Sequence, residues 1–337
     1  MRALVIEEPF TAVIKEVPYP KPGPNDVTIK VKHTGICGTD IHIFKGEFLS
    51  PYPIIPGHEF SGVVAEIGEE VTTFTVGDRV TADPSLFCGE CEFCLTHRGN
   101  QCSQWQALGN TTDGSMAEYV KVPARNVVKI PDSLSFEEAA FIEPMACVVH
   151  GMNRLDPQVG DRVLLFGAGA MGQQLIQALK MTGASELVVV DLDPAKLKMA
   201  LDWGATKAVL SDDLGTELNT ASYPNGFDIV VDATGVPSVI ETAFEYLGKT
   251  AKYLQFGVTA QGVKVNLDPF KLYNKDWTLL GSMAINYTFL PAYHWVKEGR
   301  IKLQHLISAQ LSLEETIQYL QGPRDSSQFK VQVNLEK

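Results

Sequence analysis

The chain has 337 residues, 45% of them hydrophobic and 20% charged, and 40 acidic against 28 basic side chains leave a net charge of −12. That length exceeds one ordinary core and implies two domains, while the acidic balance disfavours nucleic acid and anionic membrane, both of which select clustered Lys and Arg. No apolar run approaches the roughly 20 residues of a membrane span, and the start, MRALVIEEPF, alternates like a strand rather than a targeting segment.

From residue 1 to about 140 the chain is short apolar alternations broken by Gly and Pro, such as Val27–Val31, Phe60–Ile67 and Asp78–Thr81. This predicts a β-rich, coiled or barrel-like domain. Two short Gly-flanked motifs stand in it, Cys37-Gly38-Thr39-Asp40-Ile41-His42 and Gly57-His58-Glu59-Phe60-Ser61-Gly62. Alone, Cys37 reads as a core thiol and His58 as a hydrogen-bonded loop histidine; together with Glu59 they are three potential metal ligands. Further on, Cys88, Cys91, Cys94 and Cys102 form a C-x2-C-x2-C-x7-C run, with Gly89, Gly99 and Asn100 for its turns. Such spacing brings four thiolates within reach of one tetrahedral zinc at about 2.3 Å. Four protein thiolates close the ion to substrate, so this zinc is structural, and its free thiols imply a reducing cytoplasm.

Near residue 145 the pattern changes. Strands at Arg162–Phe166, Glu186–Val190, Phe227–Val231 and Ala251–Phe256 alternate with helical patterns, which predicts a doubly wound parallel α/β sheet. The first strand runs into Gly167-Ala168-Gly169-Ala170-Met171-Gly172 and a helix from about Gln173 to Thr182. Gly167 permits the tight turn, Gly169 the close approach of a pyrophosphate, and Gly172 the packing of helix on strand. Asp191 ends the next strand, where its carboxylate accepts ribose hydroxyls and repels a 2′-phosphate, so the cofactor is NAD. Lys196 lies one turn into the following helix and can reach the same ribose edge. Asp193-Pro194 opens that helix and Gly204 closes it; Ser312 and Glu315 form a capping box for a late helix. The last strand, about Phe329–Asn334, has no partner in sequence order and is expected to return to the first domain.

The spacing GHE-x2-G-x5-G-x2-V from Gly57 to Val71, with the four-cysteine lobe and GAGAMG, resembles the zinc-containing medium-chain dehydrogenases over essentially the whole chain. The resemblance implies a GroES-like catalytic domain of residues 1–144 and 286–337, with its zinc lobe at 88–102, and a Rossmann domain of residues 145–285, the active site lying in the cleft. It implies Cys37 and His58 as ligands of a catalytic zinc. Glu143, in Phe141-Ile142-Glu143-Pro144, resembles the polyol branch, in which the acid of the GHE motif, here Glu59, is the third ligand; Glu143 then binds the zinc directly or hydrogen-bonds its water. Thr39 and His42 form the proton relay with the nicotinamide ribose, Asp40 orients His58, and Met171, Thr234 and Val258 join the cofactor contacts. Such a zinc keeps one position open and acidifies a bound hydroxyl, and a histidine with an unperturbed pKa near 6.5 suits the proton exit.

The substrate implied is a secondary alcohol, a hexitol or, because Ala284 stands where animal sorbitol dehydrogenases carry an arginine, an arabitol-type pentitol. A threonine 3-dehydrogenase or a butanediol dehydrogenase shares these motifs, and a non-catalytic nucleotide-binding structural protein is the remote alternative. Phe44, Phe48, Trp105 and Tyr119 are pocket walls or ordinary packing. A homotetramer, or failing that a dimer, is expected, with Leu267–Phe270 and Trp277–Leu280 as interface or core.

Overall fold

Period-2 alternation and uninterrupted apolar runs build two different kinds of sheet in this chain. The computed structural model describes residues 1–323 and 325–337, which divide into one unit of Met1–Ala146 with Ile285–Lys337 and another of Cys147–Ala284.

The first unit is β-rich and GroES-like. Its central strand, Asp26–Gly35, pairs antiparallel with Glu59–Ile67. It also pairs with Tyr119–Pro123 at residues 26–30 and with Lys330–Asn334 at residues 33–35. Alternation sends Val27, Ile29 and Val31 into a core with Phe60, Val64, Val80 and Val122. A Cβ on Gly62 would lie 2.2 Å from the Lys30 carbonyl oxygen, so this strand pair closes only over a glycine. The C-terminal strand lies parallel to Ile307–Leu311. The connecting helix, Leu313–Gln321, is opened by the Ser312/Glu315 capping box. Leu313 and Leu320 of that helix bury beside Leu4, Ile6, Val331 and Val333. Phe44 belongs to this same core at 3% exposure, so it is packing and not a pocket wall. Tyr119 packs edge-on to Tyr19 at 5.0 Å.

The second unit is a six-stranded parallel sheet with spatial order 3-2-1-4-5-6 in chain order of its strands. Strands one to five are Arg162–Phe166, Glu186–Asp191, Lys207–Leu210, Phe227–Asp232 and Leu247–Gln255, and the sixth is Thr278–Gly281. Both faces are covered, which is why Val163–Phe166 and Val188–Val190 read as continuous apolar runs and are buried throughout. The first crossover helix, Ala170–Lys180, begins three residues before the expected start, because the glycine loop itself supplies the first turn. Asp193 caps the second, Pro194–Trp203, with Pro at its start and Gly204 at its end. The fifth strand begins four residues earlier than expected. Polar Lys249-Thr250 hides its start, and Thr250 adopts φ 58 where the register with the fourth strand shifts. Trp277 is core, its indole N–H donating to the Gly248 carbonyl at 2.7 Å, whereas Phe270 and most of the edge strand Thr278–Gly281 are exposed. Among the described residues no helix is long and apolar enough to cross a membrane.

Candidate functional site

Four sulfurs arranged tetrahedrally around zinc at about 2.3 Å stand about 3.8 Å from one another. The thiols of the first unit match: Cys88–Cys94 and Cys91–Cys102 are 3.8 Å apart and Cys88–Cys102 3.5 Å. All four are free cysteines. The Cys88 and Gln104 N–H groups each donate to Cys102 Sγ, and the Cys91 N–H to Cys88 Sγ, at 3.4 Å. Amide donors of this kind favour the thiolate: the N–H groups of Cys94 and Ser103 draw the Cys91 thiol down to about 5, while burial pushes Cys94 up to about 12. The return segment of the chain is anchored on this lobe. The Tyr287 ring meets Phe87 edge-on at 5.3 Å, and Asn286 Nδ2 donates to the His97 carbonyl at 3.0 Å. The donor set and its spacing therefore fit a structural zinc.

A second group lies in the same unit. Cys37 Sγ, a ring nitrogen of His58 and a carboxylate oxygen of Glu59 come within 4.8 Å of one another. Cys37 precedes the short helix Gly38–Phe44, and Asp40, fully buried, accepts its N–H at 2.7 Å. The other Asp40 oxygen accepts the Gly57 N–H at 3.0 Å, so one carboxylate staples both motif loops. Gly57 is at φ 95, and a Cβ there would fall 2.9 Å from both Met116 Cγ and Ser115 Oγ. The same carboxylate stands 3.7 Å from His58 Nδ1, too far for a hydrogen bond but close enough for its charge to act on the imidazole. Burial alone would lower the imidazole, but Asp40, Cys37 and Glu143 hold it well above its ordinary value. A thiol, an imidazole and a carboxylate in one buried cluster are a donor set that suits zinc.

Glu59 faces a partner that its own motif does not reveal. Lys330 Nζ donates to both carboxylate oxygens at 2.7 Å, with the lysine 6% and Glu59 2% exposed in their side chains. Burial would lower the lysine, but Glu59 and Cys37 hold it above its ordinary value. In sequence Lys330 is one polar position of an alternating strand and looks solvent-facing. Folding buries it with its ammonium group against Glu59 and the Ile36 carbonyl. Glu143 sits on the first turn of the helix Ile142–Leu155 and is not among the three mutually adjacent residues. Burial pushes it up to about 7, with Glu59 adding to the shift against the pull of His58 and Lys330. The Thr39 hydroxyl is 3.7 Å from Cys37 Sγ. His42, one helical turn further on the same face, has its Nδ1 2.8 Å from a Glu47 oxygen, a pairing absent from the sequence reading.

In the second unit the glycine loop follows the first strand. Gly167 is at φ 98, and a Cβ on Gly172 would sit 2.0 Å from the Gly167 carbonyl oxygen, so both serve packing. A Cβ on Gly169 would meet nothing within 4 Å. That free space lies at the N-terminus of Ala170–Lys180, where unpaired N–H groups and the dipole favour a phosphate. Asp191 accepts the Ala168 N–H at 2.6 Å and the Asp193 N–H at 3.0 Å, which places it against the loop. Lys196 is half-buried, its carbonyl accepting Gln173 Nε2 at 2.9 Å, and Met171 is half-buried on the first turn of the helix Ala170–Lys180. Thr234 and Val258 follow the ends of the fourth and fifth strands, the latter 74% exposed.

Residues 23–132 match the alcohol dehydrogenase GroES-like domain, and residues 170–298 match the zinc-binding dehydrogenase family. The chain is similar to D-arabinitol dehydrogenase 1 of Uromyces fabae, with 34% identity over 94% of this chain and 91% of that one. It is equally similar to an L-threonine 3-dehydrogenase of Rhizobium johnstonii, with 34% identity over 98% of this chain and 97% of that one. A solved zinc-binding dehydrogenase from Sinorhizobium meliloti 1021, bound to NADP, superimposes with a TM-score of 0.94 at 32% identity, covering 99% of this chain and 98% of that one.

Gly35 supplies a test of the second cluster. A Cβ there would lie 2.0 Å from Glu59 Oε2, so Gly35→Ala must displace the carboxylate at a cost of about 1–3 kcal/mol. Metal analysis after dialysis should show one zinc retained by the four-cysteine lobe and the other lost, where the wild type keeps two. Full retention of both would separate Glu59 from metal binding.

Proposed function

This chain belongs to the zinc-binding medium-chain dehydrogenase/reductase family, and within it we propose an NAD-dependent polyol dehydrogenase that oxidises a pentitol such as arabitol, or a hexitol, to the ketose. The observation that carries this reading is the pairing of the Cys37/His58/Glu59 cluster with a second buried carboxylate, Glu143. In this reading Cys37, His58 and Glu59 hold the catalytic zinc, and Cys88, Cys91, Cys94 and Cys102 the structural one. When bound, the catalytic zinc supplies Lewis acidity toward the substrate hydroxyl and NAD supplies the hydride acceptor.

The chain's own groups do the rest. Glu143, raised to about 7, is suited to hold or release a proton at the substrate oxygen. Thr39 and His42 pass the proton outward, with His42 Nδ1 held 2.8 Å from a Glu47 oxygen at the partly exposed end of that path. Lys330 balances the buried charge of Glu59 and competes with the metal for it. The turn closed by Gly167 and Gly172 presents Gly169 and the helix start at Met171 to the pyrophosphate, Asp191 and Lys196 take the adenosine ribose, and Thr234 and Val258 approach the other half of the cofactor. Asp191 favours NAD over NADP by repelling a 2′-phosphate. The enzyme works in the cytoplasm as a homotetramer, failing that a dimer, with Phe270, Tyr273 and the edge strand Thr278–Gly281 as exposed apolar contact surface.

Similarity to a threonine 3-dehydrogenase over nearly the whole chain supports a second reading, in which the secondary alcohol is that of L-threonine. NAD reduction with a stereochemically complete set of pentitols and hexitols, 2,3-butanediol and L-threonine decides between them. A pentitol or hexitol should show the highest kcat/KM. Preference for threonine would replace the substrate, and no turnover of any would defeat both readings.

Glu143→Ala should lower kcat by about 10²- to 10³-fold with both zinc ions retained. Near-normal turnover with a lowered Tm would reduce Glu143 to a structural acid. Asp191→Ala should raise the NADP/NAD ratio of kcat/KM about tenfold or more, through lost ribose hydrogen bonds and lost repulsion. A wild type that already prefers NADP would remove Asp191 from cofactor selection.

A further inference from the structure

Asp232, the last residue of the fourth strand in the nucleotide unit, is completely buried, yet among the described residues the donors that reach its carboxylate are neutral. The Thr234 N–H and hydroxyl reach Oδ1 at 3.1 and 2.6 Å. The Gly235 N–H and Gln255 Nε2 reach Oδ2 at 2.9 and 2.8 Å. Gln255, which ends the fifth strand, also donates to the Gly257 carbonyl at 2.7 Å and accepts the Tyr253 hydroxyl at 2.6 Å. The Asp232 carbonyl in turn accepts the N–H groups of Phe256 and Gly257 at 3.0 and 2.8 Å. One residue thus orders the loops that follow two neighbouring strands.

Those loops are packed backbone against backbone. A Cβ on Gly235, at φ 66, would lie 2.3 Å from the Val258 carbonyl oxygen, and one on Gly257 would lie 2.2 Å from the Gly235 nitrogen. Thr234 in turn borders the glycine loop, since a Cβ on Gly167 would stand 3.0 Å from its Cγ2. The fourth strand pairs directly with the first, on the opposite side from the second. This is the switch point of the sheet, outside whose strand ends a dinucleotide binds. The fold comprises two mononucleotide-binding halves. Asp191, at the end of the second strand, belongs to the first half; Asp232 and Gln255 belong to the second. Burying a carboxylate costs several kcal/mol unless hydrogen bonds compensate, and here the compensating donors come from the Thr234–Gly235 loop and from Gln255, so the carboxylate fixes the geometry of both strand ends.

We propose that Asp232, backed by Gln255 and Tyr253, is a positioning residue for the nicotinamide half of the cofactor, shaping the loops Ala233–Val236 and Phe256–Val258 against which that half lies. The proposal rests on the NAD reading above. Asp232→Asn keeps the volume but turns one acceptor into a donor facing donors. Gln255→Met keeps the length and removes three hydrogen bonds. Fluorescence titration of the zinc-loaded full chain with NADH, and calorimetric titration with AMP, separate the two halves. Both variants should bind NADH about tenfold more weakly and AMP with wild-type affinity. Equal weakening of NADH and AMP, or no weakening of NADH, would overturn the proposal; if D232N does not fold, the same two titrations on Q255M decide it. A wild type that binds AMP but not NADH would overturn the NAD reading and this proposal together, whereas wild-type NADH binding with unaffected variants would overturn this proposal alone.

Discussion

The β-rich unit is organised around a buried ion pair. Glu59 and Lys330 stand 271 positions apart in sequence, and the lysine contacts both carboxylate oxygens at 2.7 Å with almost no exposure to water. Removing one partner of such a pair strands the other charge and costs about 3–5 kcal/mol. The pair therefore constrains much around it. It holds the C-terminal strand in register beside Gly35, and Gly35 has no side chain because the carboxylate occupies that space. It also sets the orientation of the carboxylate that groups with Cys37 and His58. Structure and chemistry draw on the same oxygens, so the metal group and the sheet cannot be altered independently.

The two motif loops obey a second constraint of the same kind. Asp40 spends both oxygens on backbone N–H groups, one beside Cys37 and one beside His58. Candidate ligands from separate loops are thereby fixed relative to each other before any ion arrives, which lowers the ordering cost of binding. The four-cysteine lobe achieves the same end differently. Its ligands fall within fifteen residues, its amides point at its own sulfurs, and Tyr287 and Asn286 pack on it from the far end of the chain.

In the nucleotide unit, two aspartates at the ends of parallel strands have different tasks because they differ in burial and in partners. Asp191 is half-buried and bonded only to backbone amides of the loops beside it, so its carboxylate can still meet a ligand. Asp232 is wholly enclosed and carries four donors already, so it acts on a ligand only through the loops it orders. Residue type and strand position are the same; the number of donors packed around each decides the role.

Features whose geometry is set by short spacing were legible in the sequence alone. The cysteine lobe, the glycine loop, the Asp193-Pro194 and Ser312/Glu315 caps and the apolar strands of the parallel sheet depend on residues within a turn or two of each other, where chain length limits the possibilities. Cys37, His58 and Glu59 were legible as donors through their motifs, although only folding brought them within 4.8 Å of one another. What tertiary structure decided is long-range. Lys330 reads as a solvent-facing position of an alternating strand until folding brings Glu59 and the Ile36 carbonyl onto its ammonium group. Asp40 fixes the backbone beside His58 and bears on the imidazole by charge at 3.7 Å rather than by a hydrogen bond. Gln255 meets Asp232 because two parallel strands share a register. Phe44 lies in the core, not on a pocket, because the N-terminal hairpin and the last strand close over it. In each case, the partner of a polar or aromatic group is chosen by sheet register and close packing between distant segments, and neither is encoded in the spacing of any one stretch of chain.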